Sequence, residues 1–304
     1  MSKVNLHKMR RNLPLHMMLL PGVLITLIFH YIPMAGIVIA FQKFKPAYGL
    51  FSNRQAWVGL DNFMYVLDLP EIGNVFRNTL VMAIGKIVLT TLMSIVFALL
   101  INELRNRFYK RTVQTIIYFP HFLSWIILST VFVDLLSPSK GIVNRLLMTL
   151  TGNTVFFLGD AQWFPGTMIV LDAWKGYGWG TIIYLSAITG IDPTLYEAAA
   201  IDGAGRWKQT LHITLPGMRQ TIVLLAVLSL GGILNGGFDQ VYNMMNSMVK
   251  DTGEILDTLI YTLTFSSRKY GPATAVGLFK SAVSMVLIAG TYYLAWRKFD
   301  YQIF

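Results

Sequence analysis

Lys86, Asp172, Lys175 and Asp239 lie within long apolar stretches of the chain. An ionised side chain there is costly, so each marks a candidate functional position. Asp172 and Lys175 stand three residues apart, and mutual pairing on one helix would lower their burial cost without any substrate. That pairing is the simpler expectation. Lys280, near the end of another apolar stretch, can snorkel toward water. Around the fourth-stretch charges runs Trp174-Lys175-Gly176-Tyr177-Gly178-Trp179-Gly180. Aromatic faces suit the apolar faces of sugar rings, and neighbouring polar groups suit hydroxyls. The same glycines equally suit close helix contact, and Trp and Tyr also form interfacial belts. Farther on, Asn235, Asp239 and Gln240 add hydrogen-bonding groups among Gly231, Gly232, Gly236 and Gly237, which suggest a helix break or tight packing. Trp174, Lys175, Tyr177, Trp179, Asn235, Asp239 and Gln240 are therefore candidate lining of a solute path, with sugar contact and helix packing both open. Lys86 or Lys175 would serve an anionic saccharide.

Other chemistries find no support in the residue pattern. His30 and His121 are isolated and lack the convergent acids or nucleophile that a membrane enzyme needs, so a structural role fits them better. The chain has no cysteine, which removes disulfides, thiolate metal sites and cysteine nucleophiles. Its Gly85-Lys86 pair is followed by Ile87 and lacks the earlier glycine of a phosphate-cradling loop. No enzymatic activity and no bound cofactor are expected of this chain. Energy for any active transport must come from a partner or from an ion gradient.

The elements that would position these residues are apolar spans. Of the 304 residues 54% are hydrophobic and 13% charged, against roughly 25% charged in an ordinary soluble domain. A hydrocarbon core of about 30 Å needs about 20 helical residues to cross. Six stretches qualify: 17–41, 78–101, 112–136, 165–188, 220–242 and 276–297. The expected class is thus an all-α polytopic membrane protein in contact with lipid, with a tail at 1–16 and a six-span membrane domain over 17–304. The first stretch is too long for a signal core of about 7–15 residues and reads as an uncleaved span.

Net charge is +10, which in a soluble protein would suggest nucleic acid. Here the basic clusters flank the spans, where they fix topology, and no nucleic-acid partner is expected. With both termini cytoplasmic, the inner segments hold thirteen Lys and Arg, among them Lys3, Lys8, Arg10, Arg11 and Lys298, against nine in the longer outer segments. The short link with Arg105, Arg107, Lys110 and Arg111 carries most weight, because short loops obey the rule best. In the second outer loop, Ile142, Leu146 and Leu150 share one helical face, as in a surface-lying helix or one packed on the span ends.

The inner loop 189–219 is long and specific. Asp192 can cap a helix that opens with Pro193. Gly203 permits a left-handed stop, and Arg206 to Thr214 can form a second helix broken before Pro216. A helix–turn–helix should therefore project from the membrane, offering small alanines and Glu197, Asp202, Arg206 and Lys208 to a partner. By pattern alone it is equally a plain connector.

The segment Glu197-Ala198-Ala199, three residues, Gly203, nine residues, then Ile213-Thr214-Leu215-Pro216 resembles the EAA loop of binding-protein-dependent ABC importer permeases. Val58 to Phe63, Asn78-Thr79-Leu80, Leu230 to Gln240 and Ile255-Leu256-Asp257-Thr258 resemble the carbohydrate type, in its subgroup for complex oligosaccharides and polysaccharide fragments. The resemblance covers most of the chain from about residue 14 onward. It implies one permease subunit of an importer in the bacterial inner membrane. A second six-span permease, forming a heterodimer, and an extracytoplasmic solute-binding protein would accompany it. Two ATPase subunits would bind ATP and Mg. It also implies that Glu197, Ala198, Ala199, Asp202, Gly203 and Arg206 belong to the element that couples to the ATPase. The alternative is a secondary transporter for a small polar solute, driven by an ion gradient.

Overall fold

A computed structural model describes residues 3–299, without the side chains of Lys3–Arg11 and of several residues near the C-terminus, including Lys298. Residues 1, 2 and 300–304 lie outside the described part. So do the side chains of Lys3, Lys8, Arg10, Arg11 and Lys298 used in the topology argument.

The chain is helical almost throughout. α1 (Lys3–Thr26) continues through a π turn (Leu27–Tyr31) and a 3-10 stretch (Ile32–Phe41). A two-residue ladder of β1 (Gln42–Lys43) against β2 (Ala56–Trp57), antiparallel with Gln42 opposite Trp57, closes the first loop. There follow α2 (Asp61–Leu67), α3 (Ile72–Asn102), α4 (Arg107–Tyr118), α5 (Trp125–Leu135), α6 (Ile142–Thr151) and α7 (Phe164–Thr189). Next come α8 (Pro193–Ile201), α9 (Arg206–Gly217) with a π turn inside it, and α10 (Arg219–Gly231). The last three are α11 (Phe238–Met244), α12 (Leu256–Tyr261) with a π turn at Thr262–Ser266, and α13 (Tyr270–Phe299).

Among the described residues, Asn12–Phe41, α3 and the Tyr270–Tyr293 part of α13 are each long and apolar enough to cross a membrane. Two bent pairs raise that number to at most five. The first expected span is longer than read: the helix begins at Lys3, so most of the expected tail is continuous with it. The third expected span, 112–136, is not one rod. Arg107–Phe122 and α5 meet at 102°. Pro120 supplies no N–H to continue the ladder, Leu123 and Ser124 are extended, and the Ser124 hydroxyl accepts from the Ile127 N–H at 3.3 Å to start α5 afresh.

The fifth expected span, 220–242, is likewise broken. α10 ends at Gly231, and α11 starts only after Gly237, whose φ of +85° no β-branched side chain would accept. Conversely, the second helix of the inner loop does not stop before Pro216 but runs to Gly217. Its π turn at Thr210–Thr214 loosens the usual ladder just where proline lacks a donor. The bend comes at Met218, 55° between α9 and α10.

α3 and α7 are the central pair and run parallel. Gly85 meets Ile169, Gly176 meets Thr90, and Gly180 meets Ser94. Ser94 Oγ donates to the Tyr177 carbonyl at 3.0 Å, and Thr181 Oγ1 to the Ser94 carbonyl at 3.3 Å. The glycines of the Trp174–Gly180 run are therefore packing positions. A Cβ at Gly178 would overlap the Ile117 carbonyl oxygen at the end of α4. Around this pair, Ala98, Ile117, Tyr184, Ile188 and Met218 form one buried cluster at the end that carries α8 and α9. At the other end, Met82, Phe132, Phe164, Met168, Val241 and Ile255 form a second, and Val75, Leu234, Leu256, Leu259 and Val276 a third.

The segments flagged for their family resemblance are clasps between elements. Asn62 Nδ2 donates to the carbonyls of Ala40 and Gln42, tying α2 to the first helix. Asn78 Nδ2 donates to those of Asp251 and Glu254, and Thr79 Oγ1 accepts from the Leu256 N–H at 2.9 Å. Lys280 does not snorkel; it pairs with Asp257. α6 forms as expected and exposes Ile142, Leu146 and Leu150. It is held from its other side by Asn144, whose amide donates to the carbonyls of Leu136 and Val155 at 2.9 Å each.

Gly178→Val is expected to destabilise the protein by about 1–3 kcal/mol through forced separation of α4 and α7. Gly176→Ala, whose new methyl would meet only the rotatable end of Thr90 at 3.3 Å, should cost less. Thermal unfolding midpoints of the two purified variants check the order.

Candidate functional site

The candidate site has two parts, one at each side of the bend at Met218. The first is the loop. The Asp192 carboxylate accepts the Thr194 N–H at 2.9 Å and caps α8, with Pro193 at the first helical position. That backbone bond holds the Asp192 carboxyl below the usual carboxylate range. Its contribution is present above the unfolded carboxylate pKa of about 3.9 and fades as pH falls through the lower folded value. The helix stops in a Schellman turn. The Ala204 N–H reaches the Ala199 carbonyl at 2.8 Å, the Gly203 N–H reaches that of Ala200 at 3.1 Å, and Gly203 has φ +73°. Gly205 then opens α9.

One contact ties this hairpin to the end of α3, and a second joins its two helices. Arg206 Nη1 lies 3.0 Å from Glu103 Oε2, just beyond the end of α3, and the Tyr196 and Thr214 hydroxyls are 3.0 Å apart. The Arg206–Glu103 pair is exposed, so it orients the loop more than it stabilises it. Between loop and bundle lies a cavity of about 340 Å³ lined by Glu103, Thr189, Ile191, Tyr196, Arg206 and Thr210. Glu197, Ala198 and Asp202 point outward, and Ala199 is half-buried. Two residues that composition alone did not single out dominate the outer face: Ile201 is 87% exposed and Trp207 74%. A large aliphatic and an indole so exposed on a polar hairpin make this face a candidate contact surface.

The second part is the break in the fifth segment. Lys86, buried at mid-length of α3, donates from Nζ to the Gly236 carbonyl at 2.8 Å and lies 3.9 Å from Asp172 Oδ1 on α7. The expected Asp172–Lys175 pairing is therefore replaced by one between helices. Side chains three apart on α7 point to different neighbours here. Lys175 Nζ donates to the His121 carbonyl at 2.9 Å and lies over the Trp125 ring at 5.7 Å, with no carboxylate within 4.0 Å among the described residues. His121 is not isolated either, since its ring stacks on Trp179 at 5.1 Å.

A cavity of about 260 Å³ opens at the break, lined by Lys86, Thr90, Asp172, Ser229, Asn235 and Gly237. Of the seven residues proposed for the solute path, only Asn235 lines it. Tyr177 is buried against Phe97, and Gln240 is fully buried with Nε2 on the Met168 carbonyl at 2.8 Å. Trp174 stands edge-on to Phe132, while Trp179 and Asp239 are exposed elsewhere. Lys86 and Asp172 were legible as intramembrane charges. The aromatic residues Tyr242, Tyr261 and Phe265 beside the break carried no such signal.

Comparisons with known proteins agree on one kind of molecule. Residues 90–299 match the model of a family described as the binding-protein-dependent transport system inner membrane component. Protein LplB of Bacillus subtilis is 42% identical over 97% of this chain and 92% of its own length. The polygalacturonan/rhamnogalacturonan transport system permease protein YteP of the same organism is 42% identical over 90% of this chain and 85% of its own. Among solved structures, a subunit of a bacterial ABC transporter that imports the acidic polysaccharide alginate superimposes with a TM-score of 0.89. It shows 35% identity over 97% of this chain and 99% of that one. The alginate transporter in complex with its alginate pentasaccharide-bound periplasmic protein gives 0.87, at 35% identity over 96% of each chain.

Lys86→Met would leave Asp172 and the Gly236 carbonyl without their cation. Because Asp172 keeps access to water, the expected loss is about 2–3 kcal/mol, the scale of a hydrogen bond to a charged group. Adding Asp172→Leu should restore part of it, since the stranded carboxylate is then gone. Thermal unfolding of the single and double variants checks both.

Proposed function

We propose a mode of action from one premise: the chain belongs to the binding-protein-dependent transport system inner membrane components, and it is a permease subunit of a carbohydrate ABC importer. It is not itself an enzyme. It forms half of the translocation path, beside a second permease subunit. Two ATPase subunits bind ATP and Mg and grip α8 and the start of α9. A solute-binding protein brings the saccharide to the opposite end. Six segments cross the inner membrane, with α7, the bent pair of α4 and α5, and the broken segment of α10 and α11 among them, and both termini lie in the cytoplasm.

The observation that carries this reading is the continuity from loop to break. The exposed hairpin at Glu197–Arg206 leads through α9, one bend and α10 directly to the polar cavity at Gly232–Gly237. A push on Ile201 or Trp207 therefore reaches the break through one helical connection. Trp174, Lys175, Tyr177, Trp179, Asn235, Asp239 and Gln240 were the first choice for the path. Asn235 now has the best support, with Lys86, Thr90 and Asp172 beside it. The cargo is an oligosaccharide of an acidic polysaccharide. This rests on what YteP and the alginate transporter are named for, and on Lys175, a half-buried cation with no carboxylate within 4.0 Å among the described residues.

Purification of the complex from its native host tests the coupling half. Ile201→Asp and Gly203→Val should each lower recovery of the ATPase with this chain. For Ile201→Asp the expected loss is about 2 kcal/mol of binding, or about thirtyfold. Unchanged recovery, together with uptake driven by an ion gradient alone, would overturn the reading in favour of a secondary transporter. Uptake of oligogalacturonates, competed poorly by neutral oligosaccharides, is the expected outcome for the cargo.

A further inference from the structure

Beside the break, four aromatic rings form a continuous track. Phe238 and Tyr242 on α11 stack at 5.1 Å with 19° between planes. Tyr242 meets Tyr261, the last residue of α12, at 4.6 Å, and Tyr261 meets Phe265 at 4.8 Å. The Tyr242 hydroxyl donates to that of Tyr261 at 3.1 Å, which fixes the two rings relative to each other. Tyr242 and Phe265 are 43% and 69% exposed. The rings are thus held by one another along one side and left open along the other.

The chemistry around them argues against lipid as the occupant. α3 shows what an apolar outward face looks like in this protein: Val81, Ile84, Val88, Leu92, Val96 and Leu100 form a stripe with no polar atom. The open face of α11 carries instead Asp239 and Asn243, with Asn235 just before the helix and Asn246 just after it, all exposed. A carboxylate and three amides are poor lipid ligands. The face is also continuous with two cavities. Asn235 lines both the one at Lys86 and a larger one of about 700 Å³ along α13, whose wall includes Ile260, Lys280 and Ser284.

Flat rings flanked by amides and phenols match a solute with apolar ring faces and a hydroxyl rim. Asp239 can accept from such hydroxyls, and the uronate carboxylates must face away from it. We propose that Phe238, Tyr242, Tyr261 and Phe265 form a stacking track that takes the apolar faces of successive pyranose rings of the incoming oligosaccharide and leads them to the break. Several rings in series can hold more than one sugar residue, so the track favours longer oligosaccharides over short ones. The inference rests on the transport reading above and adds a site to it.

The test uses the whole complex in proteoliposomes with its binding protein. The substrate is a mixture of alginate and polygalacturonate oligosaccharides of two to five residues, and uptake is read for each length. Tyr242→Leu, Tyr261→Leu and Phe265→Leu keep apolar bulk but remove the ring. Each should lower uptake efficiency for pentasaccharides by about three- to tenfold, the scale of one aromatic contact, with a smaller loss for disaccharides. Tyr242→Phe keeps the ring and should keep the length preference. Equal losses at every length, or none, would overturn the track while leaving the transport reading intact. Variants that no longer co-purify with the second permease would overturn it too, by identifying the face as a subunit contact. No uptake of any of these sugars by the unmodified complex would sink the acidic-cargo reading and the track together.

Discussion

A lysine ammonium buried beside an interrupted helix is the constraint on which the middle of this protein depends. Backbone carbonyls released by a break inside a membrane need a donor, because hydrocarbon supplies none. Lys86 gives that donor to Gly236, and Asp172 on the neighbouring helix offsets its charge. Each of the three would be costly alone. The amine would be an unpaired cation, the carboxylate an unpaired anion, and Gly236 would present an unsatisfied acceptor to an apolar interior. The surrounding glycines follow from the same constraint. A Cβ at Gly237 would fall 2.7 Å from Lys86 Nζ, and one at Gly236 would press into Ile255 at 2.8 Å. The amine can approach the backbone only because no side chain intervenes.

The close pairing of α3 and α7 is what brings the two charges within reach. Their contact line is built from Gly85, Gly176 and Gly180, with Ser94 and Thr181 bonded across it. Small residues let two helices approach without help from the hydrophobic effect, which is weak between helices already in lipid. The run Trp174–Gly180 therefore serves two purposes on two faces. Its glycines and Tyr177 face α3 and α4, while Trp174 and Trp179 look outward against Phe132 and His121.

The helical class, the single unbroken helix over the fourth apolar stretch and the loop with its cap and left-handed stop were legible in the sequence, because each rests on local chemistry. Asp192 before Pro193, and Gly203 after a run of alanines, need no tertiary information to be read. The bends were not legible in full. Pro120 was visible, but a proline in an apolar run kinks some helices only slightly, whereas a serine cap four residues later restarts this one at 102°. Pro216 misled in the opposite direction, since a π turn upstream absorbed it. The pairing of Asp172 failed for a similar reason. Spacing on one helix identifies which side chains can meet, but a partner 86 residues earlier in the chain reached it first. Tyr242, Tyr261 and Phe265 were invisible because aromatic residues in apolar segments are unremarkable until their rings are placed side by side.

The two halves of the broken segment are anchored to different parts of the molecule. α10 follows directly on Met218, buried in the cluster next to the loop, and is joined to α9 through a single bend. α11 is tied instead to α7, by Gln240 on the Met168 carbonyl, and its Val241 and Met244 lie in the cluster that contains Phe164 and Met168. Between them stand only residues 232–237, which include three of the protein's glycines and whose one side-chain donor from another helix is Lys86 among the described residues. Packed cores deform poorly. A displacement of α10 relative to α7 is therefore taken up at Gly232, Asn235 and Gly237, which line the cavity, because Ile233 and Leu234 between them are held in the third buried cluster. The same weak point in helical propensity that forces the break thus places the deformable joint, the polar cavity and the start of the aromatic track at one level of the molecule.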